Sequence, residues 1–98
     1  MYIIVWRFRP RPGCEAEFER TYGPSGAWAR LFARAEGYRG TELLRGEQGD
    51  YLCIDRWDSR DAWEAFRSAF GREYEELDRA SETLTAEETP LGSFSRID

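Results

Sequence analysis

The sequence predicts one α+β domain over residues 1–98, of ferredoxin-like βαββαβ order: a four-stranded antiparallel sheet with helices on one face. Three observations lead there. Short runs of strand-favouring residues alternate with stretches whose apolar residues recur at helical spacing. Glycine and proline clusters separate the two kinds. Finally, two of the strands carry hydrophobic side chains on both faces, although two helices can roof only one.

The first strand spans Tyr2–Arg9, with Tyr2, Ile4, Trp6 and Phe8 on one side and Ile3 and Val5 on the other. Pro10, Pro12 and Gly13 stop it, since proline cannot donate to a ladder. Glu15–Tyr22 follows as a helix with Phe18 and Tyr22 an inward i,i+4 pair. Gly23–Pro24–Ser25–Gly26 breaks it, and a second helical piece runs to about Glu36, burying Ala27, Trp28, Leu31, Phe32 and Ala35, with Gly37 as its C′ residue. Thr41–Arg45 and Tyr51–Trp57 are strands of a hairpin closed by Gly46–Asp50.

From Tyr51–Trp57 the period changes. Ala62, Trp63, Phe66, Ala69 and Phe70 form the inward stripe of a helix capped at Asp58 or Ser59, with Asp61 at the positive end of its dipole. That helix is expected to continue past Gly71 through Tyr74 and Leu77, bent or interrupted at the glycine. Ser81–Pro90 is polar and reads as irregular. Leu91–Ile97 closes the sheet as a last strand, with Phe94 and Ile97 its apolar members. The uncovered apolar sheet face would be large for a soluble monomer, which predicts a two-fold homodimer through that face.

Composition narrows the function. Nineteen acidic residues against fourteen arginines, with no lysine, give a net charge of −5, and the arginines are scattered. That excludes a nucleic-acid partner, which needs a continuous basic face. No apolar run reaches the ~20 residues of a membrane span, so no membrane partner is expected. With no export signal and only Cys14 and Cys53, the expected location is a reducing cytoplasm. Histidine is absent, removing the commonest metal ligand, general base and haem ligand together. No cofactor and no metal are expected. Cys53 reads as a small buried hydrophobe and Cys14, near a helix start, as the more reactive thiol. Glu73, Glu75, Glu76 and Asp78 read as a solvated helix face.

The stretch Y-L-C-I-D-R-W-D-S-R-D-A-W-E-A-F from Tyr51 resembles antibiotic biosynthesis monooxygenase domains, in which a strand ends W-x-S and a helix with a phenylalanine follows. The R-P-G after the first strand, G-Y-R-G-T-E-L-L and the closing L-G-S-F resemble that family too. The resemblance implies a dimeric α+β barrel with a pocket between each sheet and its helices. The family's members include cofactor-independent oxygenases of aromatic polyketides and haem-degrading enzymes, alongside many proteins with no shown activity. The haem-degrading members carry an asparagine, a tryptophan and a histidine at the positions occupied here by Trp6, Phe66 and Glu76, so haem degradation is not expected.

An oxygenase of this kind needs a dry aromatic pocket, a base and a donor to the substrate oxyanion. Trp6, Trp57, Trp63 and Phe66 are the candidate walls, Asp55 the candidate base, and Arg7, Arg56 or Tyr74 the candidate donors. Each has a plainer reading: Trp57 and Trp63 as core or interface aromatics, Asp55 as an arginine's partner, Tyr74 as a helix anchor. The expected function is a cofactor-independent monooxygenase of a small aromatic or polyketide-type molecule. The alternative is a non-catalytic dimeric module of the same fold that binds a small apolar ligand or serves only in association.

Overall fold

Alternation decides the sheet. In the computed structural model, which describes residues 1–98, β1 (Tyr2–Pro10), β2 (Tyr38–Arg45), β3 (Tyr51–Trp57) and β4 (Thr85–Ser95) form one antiparallel sheet in the order β2-β3-β1-β4. Tyr51, Cys53, Asp55 and Trp57 of β3 point to the buried side, while Leu52, Ile54 and Arg56 point away. Across the central pair Tyr2 faces Trp57, Ile4 faces Asp55, Trp6 faces Cys53 and Phe8 faces Tyr51. The core-facing row is therefore continuous from β1 to β3.

Four helical segments roof that row: α1 (Glu15–Tyr22), α2 (Ala27–Phe32), α3 (Arg60–Ala69) and α4 (Gly71–Ser81), with a short 3₁₀ turn at Glu82–Leu84. Phe18, Tyr22, Trp28, Leu31, Phe32, Phe66 and Leu84 bury against Phe8, Tyr51, Cys53 and Trp57. Trp57 has no exposed surface and lies 5.2–5.5 Å, centroid to centroid, from Phe32, Tyr38, Trp63 and Phe66. Aromatic pairs at these separations add to the burial of their large surfaces. α1 is pinned to the hairpin by Glu19, which accepts from the Tyr51 hydroxyl and, at 2.6 Å, from Arg45.

The strand-to-helix passage follows its sequence. Ser59 caps α3, its hydroxyl accepting from the Ala62 amide at 3.1 Å. Asp58 instead pairs through both carboxylate oxygens with Arg39, at 2.6 and 2.8 Å. The expected interruption at Gly71 is present: α3 ends at Ala69, Phe70 leaves helical geometry, and α4 starts at Gly71. The second helical piece is shorter than expected, ending at Phe32 before two turn residues.

One expectation is corrected. Ser81–Pro90 is not irregular, because α4 ends at Ser81 and β4 begins at Thr85, pairing from Pro10↔Thr85 to Tyr2↔Ser95. β4 is an edge strand whose outer side meets no neighbour, so polar residues and Pro90 are tolerated. A register shift at Leu91, between Val5↔Gly92 and Trp6↔Pro90, keeps Glu88 on the same face as Phe8 and Trp6. Gly92 takes a φ of +125° there, which a side chain would strain.

The opposite face of the sheet carries apolar side chains too, as the sequence predicts. Ile3, Val5, Leu52 and Ile54 are half-buried, and Leu44 and Phe94 are exposed. No helix is long and apolar enough to cross a membrane.

Candidate functional site

Asp55 is the only charged residue in the buried row of β3, and its neighbours explain how it is tolerated. It sits between Ile4 of β1 and Thr41 of β2. The Thr41 hydroxyl donates to Asp55 Oδ1 at 2.6 Å, and the Tyr38 hydroxyl lies 2.6 Å from the same threonine oxygen. With Thr41 donating to the carboxylate, Tyr38 is left to donate to Thr41. The Cys53 thiol is a second, weaker donor to Oδ1 at 3.9 Å. Oδ2 has no protein hydrogen-bond partner.

Burial of this 9 % exposed carboxylate pushes its pKa from 3.8 to about 6, a rise that the Thr41 and Cys53 hydrogen bonds reduce but do not cancel. Its titration is thus set close to neutral pH, where a general base works best. Cys53 is the opposite case. Burial, then the adjacent Asp55 charge, drives its thiol far above the ordinary range, leaving it protonated and inert.

Asp55 opens into a cavity of about 70 Å³ between sheet and helices. Trp6, Phe8, Tyr22, Trp28, Phe32 and Tyr74 supply most of its wall. Trp28 meets Tyr74 edge-on at 5.0 Å, Trp6 stacks on Phe8 at 5.9 Å, and Tyr22 packs on Phe8 at 4.7 Å. Burial raises the pKa of the Tyr22 and Tyr74 hydroxyls, so both stay protonated donors at neutral pH. The Trp28 indole N–H and the Ser81 hydroxyl are buried without a hydrogen-bond partner. Asp78 of α4 and Glu88 of β4, both exposed, form the acidic part of the wall. Glu88 has a raised pKa, first from partial burial and then from the charge of Asp78.

The structure brings Asp55, Tyr74 and Trp6 of the sequence candidates together at this cavity. It does not bring the other five. Arg7 is exposed on the far face of the sheet, opposite Leu52. Arg56 is on that face too, bonded to Glu42 at 3.0 Å. Period-two alternation puts both arginines out of reach of a pocket on the helix side. Trp57 and Phe66 are core, with 0 % and 1 % exposure, and half-buried Trp63 packs against both. Tyr22, Trp28, Asp78 and Glu88 were not among the candidates. The inward faces of Tyr22 and Trp28 are legible from helical spacing, but their convergence on Asp55 depends on how the helices pack. No sequence signal marks Asp78 or Glu88, which lie among other acidic residues.

A sequence model of the antibiotic biosynthesis monooxygenase family matches residues 1–71. No curated protein matches the chain by sequence. Among solved structures, SnoaB, a cofactor-independent oxygenase from Streptomyces nogalater, superposes with a TM-score of 0.68 at 25% identity, covering 99% of this chain and 93% of that one. Rv0793 from Mycobacterium tuberculosis gives 0.75 at 18% identity, covering 99% and 95%. A variant of MhuD with two manganese protoporphyrin IX bound per active site gives 0.67 at 17% identity, covering 99% and 95%. At their low identities the last two share the fold alone.

Proposed function

The chain belongs to the antibiotic biosynthesis monooxygenase family, and from that premise we propose that it is a cofactor-independent oxygenase of a small aromatic or polyketide-type molecule, with Asp55 as its base. The observation that carries this reading is a carboxylate with pKa about 6 and one unpartnered oxygen, set in an aromatic cavity. A methylene activated by flanking aromatic and carbonyl groups gives its proton to Asp55 Oδ2. The resulting carbanion is electron-rich enough to reduce dioxygen directly, and the balance is CH₂ + O₂ → C=O + H₂O. The Tyr74 hydroxyl, on the wall that Tyr22 also lines, takes the donor role toward the substrate oxyanion that the distant Arg7 and Arg56 do not fill. SnoaB, a cofactor-independent oxygenase at 25% identity, supports the assignment. The absence of histidine keeps it from extending to haem chemistry.

The test is oxygen uptake by the purified protein with anthrone-type substrates. Turnover is expected, with Asp55→Asn lowering kcat/KM by about 10²–10⁴, the usual contribution of a positioned base. Tyr74→Phe should reduce the rate while leaving the fold intact. Absence of uptake across such substrates removes the reading.

The size of the cavity favours a second reading. At about 70 Å³ it has room for roughly two waters, about half of what a benzene-binding cavity offers. A ring can enter fully only if the wall shifts; otherwise the protein is a non-catalytic module holding a small ligand. In either reading the chain works as a homodimer in a reducing cytoplasm. The far sheet face with Ile3, Val5, Leu52, Ile54 and Phe94 is the surface that a second copy covers, and Cys14 and Cys53 are both free thiols.

A further inference from the structure

The charge around the cavity is one-sided. Asp55, Asp78 and Glu88 contribute to its wall, and no arginine does, in a chain with fourteen of them. Six ion pairs use acids elsewhere on the surface, but neither Asp78 nor Glu88 joins any. These two carboxylates instead repel each other, and Asp55 behind them is nine-tenths buried with Oδ2 unpartnered. Arg67, whose guanidinium stands 4.0 Å over the Tyr74 ring, does not join the lining. Nowhere do His, Cys, Asp or Glu side chains gather in a group able to hold a metal ion. The remaining wall is aromatic, and aromatic faces attract diffuse organic cations through their quadrupoles.

We propose that this cavity binds a positively charged nitrogen, the alkylammonium or protonated amine group of a small ligand, seated among the rings of Trp6, Trp28 and Tyr74 and neutralised by Asp55, Asp78 and Glu88. The proposal rests on the cavity being the substrate site and names the substrate class. An N–H of the ligand donates to Asp78 or Glu88, which leaves Asp55 Oδ2 to the reacting methylene, and the positive charge relieves the repulsion between Asp78 and Glu88. The small volume suits an ammonium head group, with the rest of the molecule extending past the acidic side of the wall. A carboxylate ligand meets three like charges there and is refused.

Calorimetric titration under nitrogen tests this, using the full chain and three probes of similar size: benzylammonium, benzyl alcohol and phenylacetate. The ammonium should bind at least about tenfold more tightly than the alcohol, with phenylacetate weakest, and 0.5 M salt should narrow the gap. Asp78→Asn with Glu88→Gln should erase most of that preference while circular dichroism and the unfolding midpoint stay unchanged. If the double variant unfolds, 1H–15N spectra of the unaltered protein give the second measurement: indole resonances of Trp6 and Trp28 should shift with the ammonium and not with the alcohol. Equal affinity for the three probes, tighter phenylacetate binding, or no binding at all overturns the proposal. Turnover is scored separately. Oxygen uptake with uncharged anthrones but no ammonium preference leaves the oxygenase and removes this inference, whereas ammonium preference without uptake does the reverse.

Discussion

Asp55 holds together two opposing demands. As a base it must be buried and still ionise near neutral pH; as part of the core it is more stable protonated. Its folded pKa of about 6 lies above the ordinary 3.8, so the native state holds more protons than the unfolded chain between those values. Stability contributed by this group therefore falls as pH rises from about 4 to about 6, by roughly 3 kcal/mol at ~1.4 kcal/mol per pKa unit. Asp55→Asn keeps an oxygen for Thr41 and removes the charge. It should raise unfolding free energy by about 1–3 kcal/mol at pH 8, with little change at pH 4, as read by urea titration at both. A variant less stable at pH 8 contradicts the burial argument. Thr41→Val tests the other side of the balance: without its hydrogen bond the Asp55 pKa climbs further, and the acid limb of the kcat/KM profile should move to higher pH.

Among the elements, the junction of β3 with α3 is closely packed against the start of β2. Gly37 lies where a β-carbon would stand 2.4 Å from the Ala62 side chain, and its carbonyl accepts from the Asp58 amide at 2.8 Å. The start of β2 thus rests directly on the first turn of α3. Gly37→Ala should force the two apart and cost about 1–3 kcal/mol, the usual penalty for overpacking. Thermal unfolding measures it, and pairing it with Ala62→Gly should recover most of the loss if the clash is the cause. The bulge at Leu91 matters at the same scale, because it lets an edge strand place Glu88 beside the cavity while Phe94 stays on the outer face.

At the scale of the whole molecule the sheet has one roofed and one open face. Val5 and Ile54 face each other near the middle of the open one, with Leu44 and Phe94, the latter 51 % exposed, toward its edges. Ile54→Glu sets a charge at the centre of the surface proposed to pair with a second copy. Light scattering should report a dimer for the unaltered chain and a monomer for this variant, with helical content preserved. A monomer before substitution removes the dimer.

The order of strands and helices, the helix interruption at Gly71 and the sidedness of β1 and β3 follow from the sequence, since each is local: a period of two or 3.6, a cap, a glycine. Asp55 could be singled out because the oxygenases that the sequence resembles need a base, and it is the one carboxylate within Tyr51–Trp57. What local pattern could not give was β4 across Thr85–Pro90, whose polar residues are held by pairing with β1, or which aromatics would meet Asp55. Tyr22, Trp28 and Tyr74 reach it from three separate helices, and the arginines were sent to the other face by a one-residue difference in strand position. Convergence of that kind belongs to packing between distant segments, which only the tertiary structure decides.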